Sequence, residues 1–478
     1  MHHQRDAALT RTQSRDMACH LHGQSYVSSS EQTAPMVIVR GEGVHVWDET
    51  GRKYLDAMAG VGNATLGYSE SRLIEAASQQ LQRLPFQHTF GNRTTEQTAE
   101  LAERLVQLAP CPMAKAFFAC SGSEANDSAI MLAWYYWRAL GQPARRKILS
   151  YQRAYHGSTV ATASLSDLPS LQHGFGLPLP GFIRVRCPNH YREAQAGESE
   201  HAFSERLASE LEETIVREGP ETVAAFFIEP VMGLGGIIVP PSGYVEKIQA
   251  VLRRHGILMV ADEVVAGFGR TGNFWGCETV GLRPDMLVCS KGLTAGYMPM
   301  SAVVLSESVC QALRHNTAVP FGHGFTQGGN PVSAAVALET LNIYEERDLV
   351  AHARAMGERF AAGLNALRSH PLVGDVRGTG MMWAIELVSD KATRVPFDPA
   401  WGIGFLAAQF AQSRGVIVRM VGDCLVTLPP LITGISDVER IVAALGSAID
   451  HVTEIATRLR GPSHHTHGRH AGNGKQRK

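Results

Sequence analysis

Three observations predict an α/β fold. Short apolar runs of strand length alternate with helical stretches from about Thr95 to Leu305, and several of those runs are apolar throughout. After Pro331 the texture changes to longer helices and separate strand-like runs. The first two describe a mostly parallel sheet covered by helices on both faces, and the third a smaller α+β domain. A chain of 478 residues has room for about two or three folded units.

The elements follow in order. Residues 1–30 are polar, rich in Ser, Gln and His, and without sustained periodicity, so this arm is expected to be flexible unless something packs on it. The stretch from Met36 to Asp56, MVIVRGEGVHVWDETGRKYLD, reads as an antiparallel ribbon with Gly41 and Gly43 at its turn. Apolar spacing predicts helices over Thr95–Leu108, Gly122–Arg138 and Ala202–Glu218. Strands are expected at Ala116–Ala119, Lys147–Ser150, Val223–Ile228, Ile257–Ala261, Met286–Cys289 and Ser301–Leu305. Beyond Pro331 come helices over Val332–Glu346, Leu349–Arg368 and Asp437–Thr457, with strands at Met381–Val388, Val416–Arg419 and Leu425–Leu428. The last stretch, GPSHHTHGRHAGNGKQRK, reads as a disordered tail whose histidines have no fixed scaffold on which to hold a metal.

Composition narrows the function. With 44% hydrophobic and 19% charged residues the chain is neither fibrous nor wholly disordered. Lys plus Arg number 44 against 45 Asp plus Glu, so no excess positive charge is available for nucleic acid. Cysteines stand at 19, 111, 120, 187, 277, 289, 310 and 424 without a C-x-x-C pair, which argues against a disulfide framework or zinc site. The polar N-terminus carries no apolar run of signal-peptide length, and Val223–Ile228 is far too short to cross a bilayer. A cytoplasmic protein with reduced thiols and no membrane partner is expected.

One motif misleads. Gly267-Phe268-Gly269-Arg270-Thr271-Gly272 matches the dinucleotide fingerprint G-x-G-x-x-G, yet it follows an acidic pair at a strand end, and the next residues, NFWGCE, do not read as a helix that would hold a pyrophosphate. A stronger constellation sits at strand ends, where α/β folds place ligands. Cys120-Ser121-Gly122-Ser123-Glu124 joins a strand to a helix, and Ser121, Gly122 and Ser123 can offer N–H groups and hydroxyls to an anion. By itself this is an ordinary helix cap. Asp262 and Glu263, however, end the buried run LMVA, where charge is costly without a cation to meet it. Lys291 ends the run MLVCS, where desolvation lowers an amine's pKa and prepares it for carbonyl chemistry. A phosphate cradle, a buried aspartate and a buried lysine together describe a pyridoxal 5'-phosphate site.

The motifs FFACSGSEAND, YQRAYHGST, AAFFIEPVMGLGGIIVPP, VADEVVAGFGRTG, CSKGLTAGYMP and HGFTQGGNP occur in that order between about Gly41 and Leu445. In this the chain resembles the class III, fold-type-I pyridoxal phosphate aminotransferases, and within them the omega-amino acid or amine:pyruvate group. The resemblance implies a seven-stranded large-domain sheet and a small domain built from both chain ends. The chain then divides into a flexible arm (1–30), an N-terminal part of the small domain (31–75), the large cofactor-binding domain (76–345), the C-terminal part of the small domain (346–460) and the tail (461–478).

Residue by residue, the resemblance makes Lys291 the covalent attachment point of the cofactor and then the acid/base that moves the substrate proton. Asp262 becomes the partner of the pyridine N–H. Tyr155 of Tyr155-His156-Gly157 would stack on one ring face and Val264 on the other. Gly122 and Ser123 would hold the phosphate, and Thr326 would reach it from a neighbouring subunit, which implies a homodimer, or a dimer of dimers, with shared sites. Glu229 matches a family glutamate near the cofactor, its role open.

The departures concern substrate. Where relatives that handle glutamate or ornithine carry a second glutamate, this chain has Leu234, and their arginine ahead of Pro429-Pro430 is missing. Arg419 instead matches the mobile arginine of the amine:pyruvate group, a fork that binds a carboxylate and swings away when there is none. Gly62 stands where that group commonly has a tryptophan, which opens the pocket to bulkier amines. Phe86 and Phe90 are expected to line the same pocket. The implied activity moves an amino group from an amine or omega-amino acid to an α-keto acid, expected to be pyruvate, in two half-reactions. An aminomutase, racemase or decarboxylating transaminase shares the cofactor residues and is the alternative. A binding protein that has lost catalysis is disfavoured by the intact Lys291 and Asp262.

Overall fold

The strands at the centre of the molecule have no polar face. Val223–Ile228, Leu258–Asp262 and Met286–Cys289 are buried at every position in the computed structural model, which describes residues 9–460 apart from 31, 317 and 318. The tail 461–478 and the first eight residues of the arm lie outside the described residues. Such strands need cover on both sides, and neighbouring residues of one strand enter different cores. Phe226 and Ile228 pack with Phe203, Leu207 and Ile248 of the helices Glu200–Glu218 and Tyr244–Arg254, whereas Phe227 packs with Ile130, Ala133 and Trp137 of the helix Gly122–Ala139.

The large sheet has seven strands in the order Met113–Ala119, Ser301–Ser306, Met286–Cys289, Leu258–Asp262, Val223–Ile228, Lys147–Tyr151, Phe182–Val185. Ser301–Ser306 runs antiparallel to both neighbours and every other pairing is parallel. The carboxyl ends of Met113–Ala119, Lys147–Tyr151, Val223–Ile228, Leu258–Asp262 and Met286–Cys289 therefore open on one edge. That edge carries Cys120, Glu229, Asp262 and Lys291.

The expected strands and helices are present, with ends shifted by up to three residues. Phe182–Val185 is an additional edge strand, only four residues long and interrupted by Arg184, so it carries no apolar signal. The run Val416–Arg419 is divided. Val416–Ile417 pairs parallel with Leu55 and Asp56 of the N-terminal ribbon, while Arg419–Val421 joins the antiparallel sheet of Val373–Thr379, Met382–Leu387 and Cys424–Thr427. The N-terminal ribbon and the C-terminal sheet thus meet beside Arg419.

The ribbon has three strands, Ile38–Glu42, His45–Asp48 and Lys53–Asp56. Gly43 is at its first turn with φ +54°, but Gly41 lies within the strand. A β-carbon on Gly41 would come within 2.6 Å of the Tyr68 ring, so close approach accounts for this glycine. The arm is also more ordered than its composition suggests. Arg11–Cys19 is helical behind a Thr10–Gln13 capping box, and Thr10 Oγ1 donates to Glu49 Oε1 at 2.9 Å. All eight cysteines are free thiols. No helix among the described residues is long and apolar enough to cross a membrane.

Candidate active site

A cavity of about 430 Å³ lies at the carboxyl edge of the large sheet. Ser121, Gly122, Ser123, Tyr155, His156, Gly157, Glu229, Asp262, Val264 and Lys291 all line it, gathered from segments widely separated in sequence. The strand Met286–Cys289 ends at Ser290, whose hydroxyl donates to Met300 O at 2.9 Å, and the chain turns sharply at Lys291 with φ +37°. A non-glycine residue in the left-handed region is a strained placement of the kind found at functional sites. Burial lowers the Lys291 pKa, the charge of Asp262 opposes that shift and the charge of Arg419 adds to it.

Asp262 is almost fully buried and held on three sides. His156 Nδ1 donates to Oδ2 at 2.7 Å, Asn126 Nδ2 donates to the same oxygen at 2.8 Å, and Val264 N donates to Oδ1 at 3.1 Å. Asn126 also donates to His156 O at 2.9 Å, so aspartate, histidine and asparagine form one rigid unit. Asn126 has no obvious chemistry in the sequence. Its signal is the four-residue step from Gly122, which places both on one side of the helix.

The helix Gly122–Ala139 starts at the cavity. Ser121 Oγ accepts from Glu124 N at 3.2 Å, and Glu124 Oε2 accepts from Cys120 N at 2.7 Å and Ser121 N at 3.1 Å. The Ser121 hydroxyl thus serves chiefly as the cap. Gly122 and Ser123, in the first turn, have no carbonyl of the helix to bond, and their N–H groups are suited to an anion. A β-carbon on Gly122 would press on Val264 at 3.1 Å. Gly157 is equally confined: with φ +140°, a β-carbon there would meet Thr162 Oγ1 at 2.5 Å and Ser123 Oγ at 2.6 Å. Ser158 N donates to Ser123 Oγ at 3.1 Å, tying the Tyr155 turn to the helix start.

Glu229, whose role the sequence leaves open, is a backbone staple. Its Oε1 accepts from Tyr155 N at 3.1 Å and its Oε2 from Gly233 N at 2.8 Å. Full burial pushes its pKa up to about 7, against the opposing field of His156. Glu263 performs the same service outside the cavity, its two oxygens accepting from Gly276 N at 2.8 Å and Cys277 N at 2.6 Å. This settles the misleading glycine motif. A short helix, Gly276–Val280, does follow it, contrary to expectation, but the anion at its start is the chain's own Glu263.

The expected substrate residues are only partly assembled. Arg419 does not line the cavity, yet its charge is felt at Lys291, and its Nη2 donates to Gln24 Oε1 at 3.3 Å. Gly62 lies one residue behind the cavity-lining Asn63, with φ +75°; a β-carbon there would touch only Leu428, at 3.9 Å. Phe86 and Phe90 do not line this cavity within the chain. They are 39% and 46% exposed, and Phe90 packs instead beside Gly324 and Phe325. Thr326 is exposed and likewise absent from the lining.

The residues fit pyridoxal phosphate on the chemistry of their donors: a buried carboxylate for a pyridinium N–H, a desolvated amine for an aldehyde, and helix-start N–H groups beside two confined glycines for a phosphate. On this sheet, that combination defines a fold-type-I pyridoxal phosphate enzyme. The model of the family described as aminotransferase class-III matches residues 26–449, and the chain belongs to that family. It is 45% identical over 423 residues to a chloroplastic gamma aminobutyrate transaminase 3 of Solanum lycopersicum, a match covering 88% of this chain and 81% of that protein. Among solved structures it resembles the omega transaminase of Pseudomonas jessenii in complex with PMP, with TM-score 0.92 and 46% identity over 94% of this chain and 99% of the other. A thermostable omega transaminase variant with a tryptophan replaced by glycine, engineered for asymmetric synthesis of enantiopure bulky amines, matches with TM-score 0.91 and 46% identity over 93% of this chain and 100% of the other.

Proposed function

We propose that this class III aminotransferase is an omega-transaminase, taking an amino group from an amine or omega-amino acid and delivering it to an α-keto acid, with pyruvate as acceptor. The observation that carries the reading is Arg419. Its charge reaches Lys291, its bond to Gln24 is to a neutral amide, and among the described residues no carboxylate pairs with it. A guanidinium so placed suits the acceptor's carboxylate and has an alternative partner when an uncharged amine is bound. The names of the relatives, gamma aminobutyrate transaminases and omega transaminases, agree in pointing to an amino group remote from any carboxylate.

The cofactor, when bound, supplies an aldehyde for the lysine and a cationic ring that withdraws electron density from the substrate carbon. The protein's own groups do the rest. Asp262, fixed by His156 and Asn126, holds the proton on the ring nitrogen. Lys291, its amine kept from full basicity by burial, moves the proton at the substrate carbon. Tyr155, aimed by Glu229 through its backbone N–H, and Val264 close the two sides of the slot. Gly62 leaves room beside Leu428 for a bulky amine substituent.

A homodimer completes the site in this reading. Phe86, Phe90 and Thr326 lie away from the chain's own cavity, as residues serving a partner's cavity would. Cytoplasmic residence is part of the same proposal.

The test is spectroscopic. Purified loaded enzyme is mixed with amines and omega-amino acids in single-turnover amounts, and pyruvate is then added. Bleaching of the yellow band by a donor and its return with pyruvate is the expected result. A band that never bleaches would move the mutase, racemase or decarboxylase readings ahead. Bleaching that only a different keto acid reverses would remove pyruvate.

A further inference from the structure

Gln24 lies in the arm, two residues before the stretch that the family model matches. The path from the arm's anchor to Gln24 is tightly specified. Thr10 is bonded to Glu49, and Gln13 Nε2 donates to Pro35 O at 3.1 Å, so the helix Arg11–Cys19 is pinned to the start of the ribbon. At the far end of that helix the Asp16 carboxylate takes both imidazoles that follow, His20 Nδ1 at 2.9 Å and His22 Nε2 at 2.6 Å. Ser25 Oγ donates back to His22 O at 2.9 Å and closes a turn over Gly23 and Gln24. Gln24 occupies that turn at φ +54°, where glycine would be the less strained choice. From there its side chain meets Arg419.

We propose that Gln24 is a positioning residue for Arg419. Its amide oxygen holds the guanidinium while no carboxylate is bound and yields it to the carboxylate of an incoming acid. The proposal rests on the reading of Arg419 as the carboxylate-binding residue. A neutral amide is the appropriate holder, because a carboxylate forms the stronger, charge-assisted bond and displaces it. A carboxylate at position 24 would compete with the substrate instead of giving way. The arm thereby enters substrate selection: it sets the state of Arg419 that an uncharged amine meets.

The experiment measures both half-reactions in the loaded enzyme, with pyruvate as the acid and an uncharged arylalkyl amine as the donor. Gln24→Glu is expected to raise the KM for pyruvate about tenfold and to leave kcat/KM for the amine within about twofold. Gln24→Gly keeps the turn, removes the holder, and is expected to lower kcat/KM for the amine about threefold while the pyruvate KM stays the same or falls. Both effects should vanish in an Arg419→Leu background, since a residue acting only through Arg419 has nothing left to position. Effects that persist in that background, or a pyruvate KM untouched by Gln24→Glu, would overturn the proposal. Should Arg419→Leu alone leave the pyruvate KM at the wild-type value, the carboxylate role of Arg419 falls and this proposal with it. If Arg419→Leu raises that KM while Gln24→Glu does not, only the role of Gln24 fails.

Discussion

Replacing Glu229 by glutamine tests whether this carboxylate is a staple under electrostatic load. Burial raises its pKa from the ordinary 4.5 to about 7, so the folded protein binds a proton that the unfolded chain releases across that window. Its contribution to stability is therefore fully present below pH 4.5 and declines as pH rises towards 7. Over the whole window the loss is on the order of 3 kcal/mol, at about 1.4 kcal/mol per pH unit. Glutamine cannot titrate, so the variant escapes this loss. It suffers a different one, because the amide has a single oxygen for the two N–H groups of Tyr155 and Gly233, leaving one buried donor opposed at a cost of about 1 to 3 kcal/mol. That second cost does not depend on pH. Urea denaturation of cofactor-free wild type and variant at pH 5.5, 7 and 8.5 gives the difference directly, with other titrating groups cancelling between the two. The variant should gain on wild type by about 2 kcal/mol from pH 5.5 to 8.5, most of it below pH 7. A difference independent of pH, or one that grows in the opposite direction, would refute the reasoning.

The remaining expectations concern the cavity. Lys291→Ala should abolish steady-state turnover while the melting temperature of the cofactor-free protein stays the same or rises, because a desolvated amine is removed; measurable turnover would remove the assignment. Gly157→Ala should weaken cofactor binding about tenfold or more in a fluorescence titration, since its β-carbon collides with Ser123 and Thr162. Gly62→Trp has space at the β-carbon but carries about 1 kcal/mol of left-handed strain, and kcat/KM for bulky amines should fall about tenfold while that for small amines changes by less than about twofold.

The large domain was legible because its strands are buried on both faces, and continuous apolar runs such as VAAFFI are difficult to read otherwise. Lys291 and Asp262 were legible for the same reason: a charge at the end of such a run has to be accounted for. Phe182–Val185 was not, because a short edge strand carrying an arginine has no pattern to detect. The division of Val416–Arg419 between two sheets was equally hidden, since both halves alternate acceptably and only the pairing partners differ. The arm helix rests on a capping box and on contacts with Glu49 and Pro35, which local periodicity does not encode. Phe86 and Phe90 were placed by resemblance, and neither lines the chain's own cavity.

Burial alone does not separate the three carboxylates Glu229, Asp262 and Glu263, because all stand at the ends of buried strands on one edge of the sheet. Their partners separate them. Glu229 and Glu263 each spend both oxygens on backbone N–H groups, fixing the Tyr155 turn and the start of Gly276–Val280, and burial holds both near 7. Asp262 spends one oxygen on Val264 N and offers the other to side chains, His156 and Asn126, which fix its orientation. It is also the one whose field supports the Lys291 ammonium. A carboxylate consumed by backbone donors shapes loops, whereas one oriented by side chains beside a desolvated lysine is positioned for a cationic ring nitrogen. Glu229 holds a wall of the cavity in place, Glu263 fixes a helix start outside it, and the aspartate is left to face what the cavity binds.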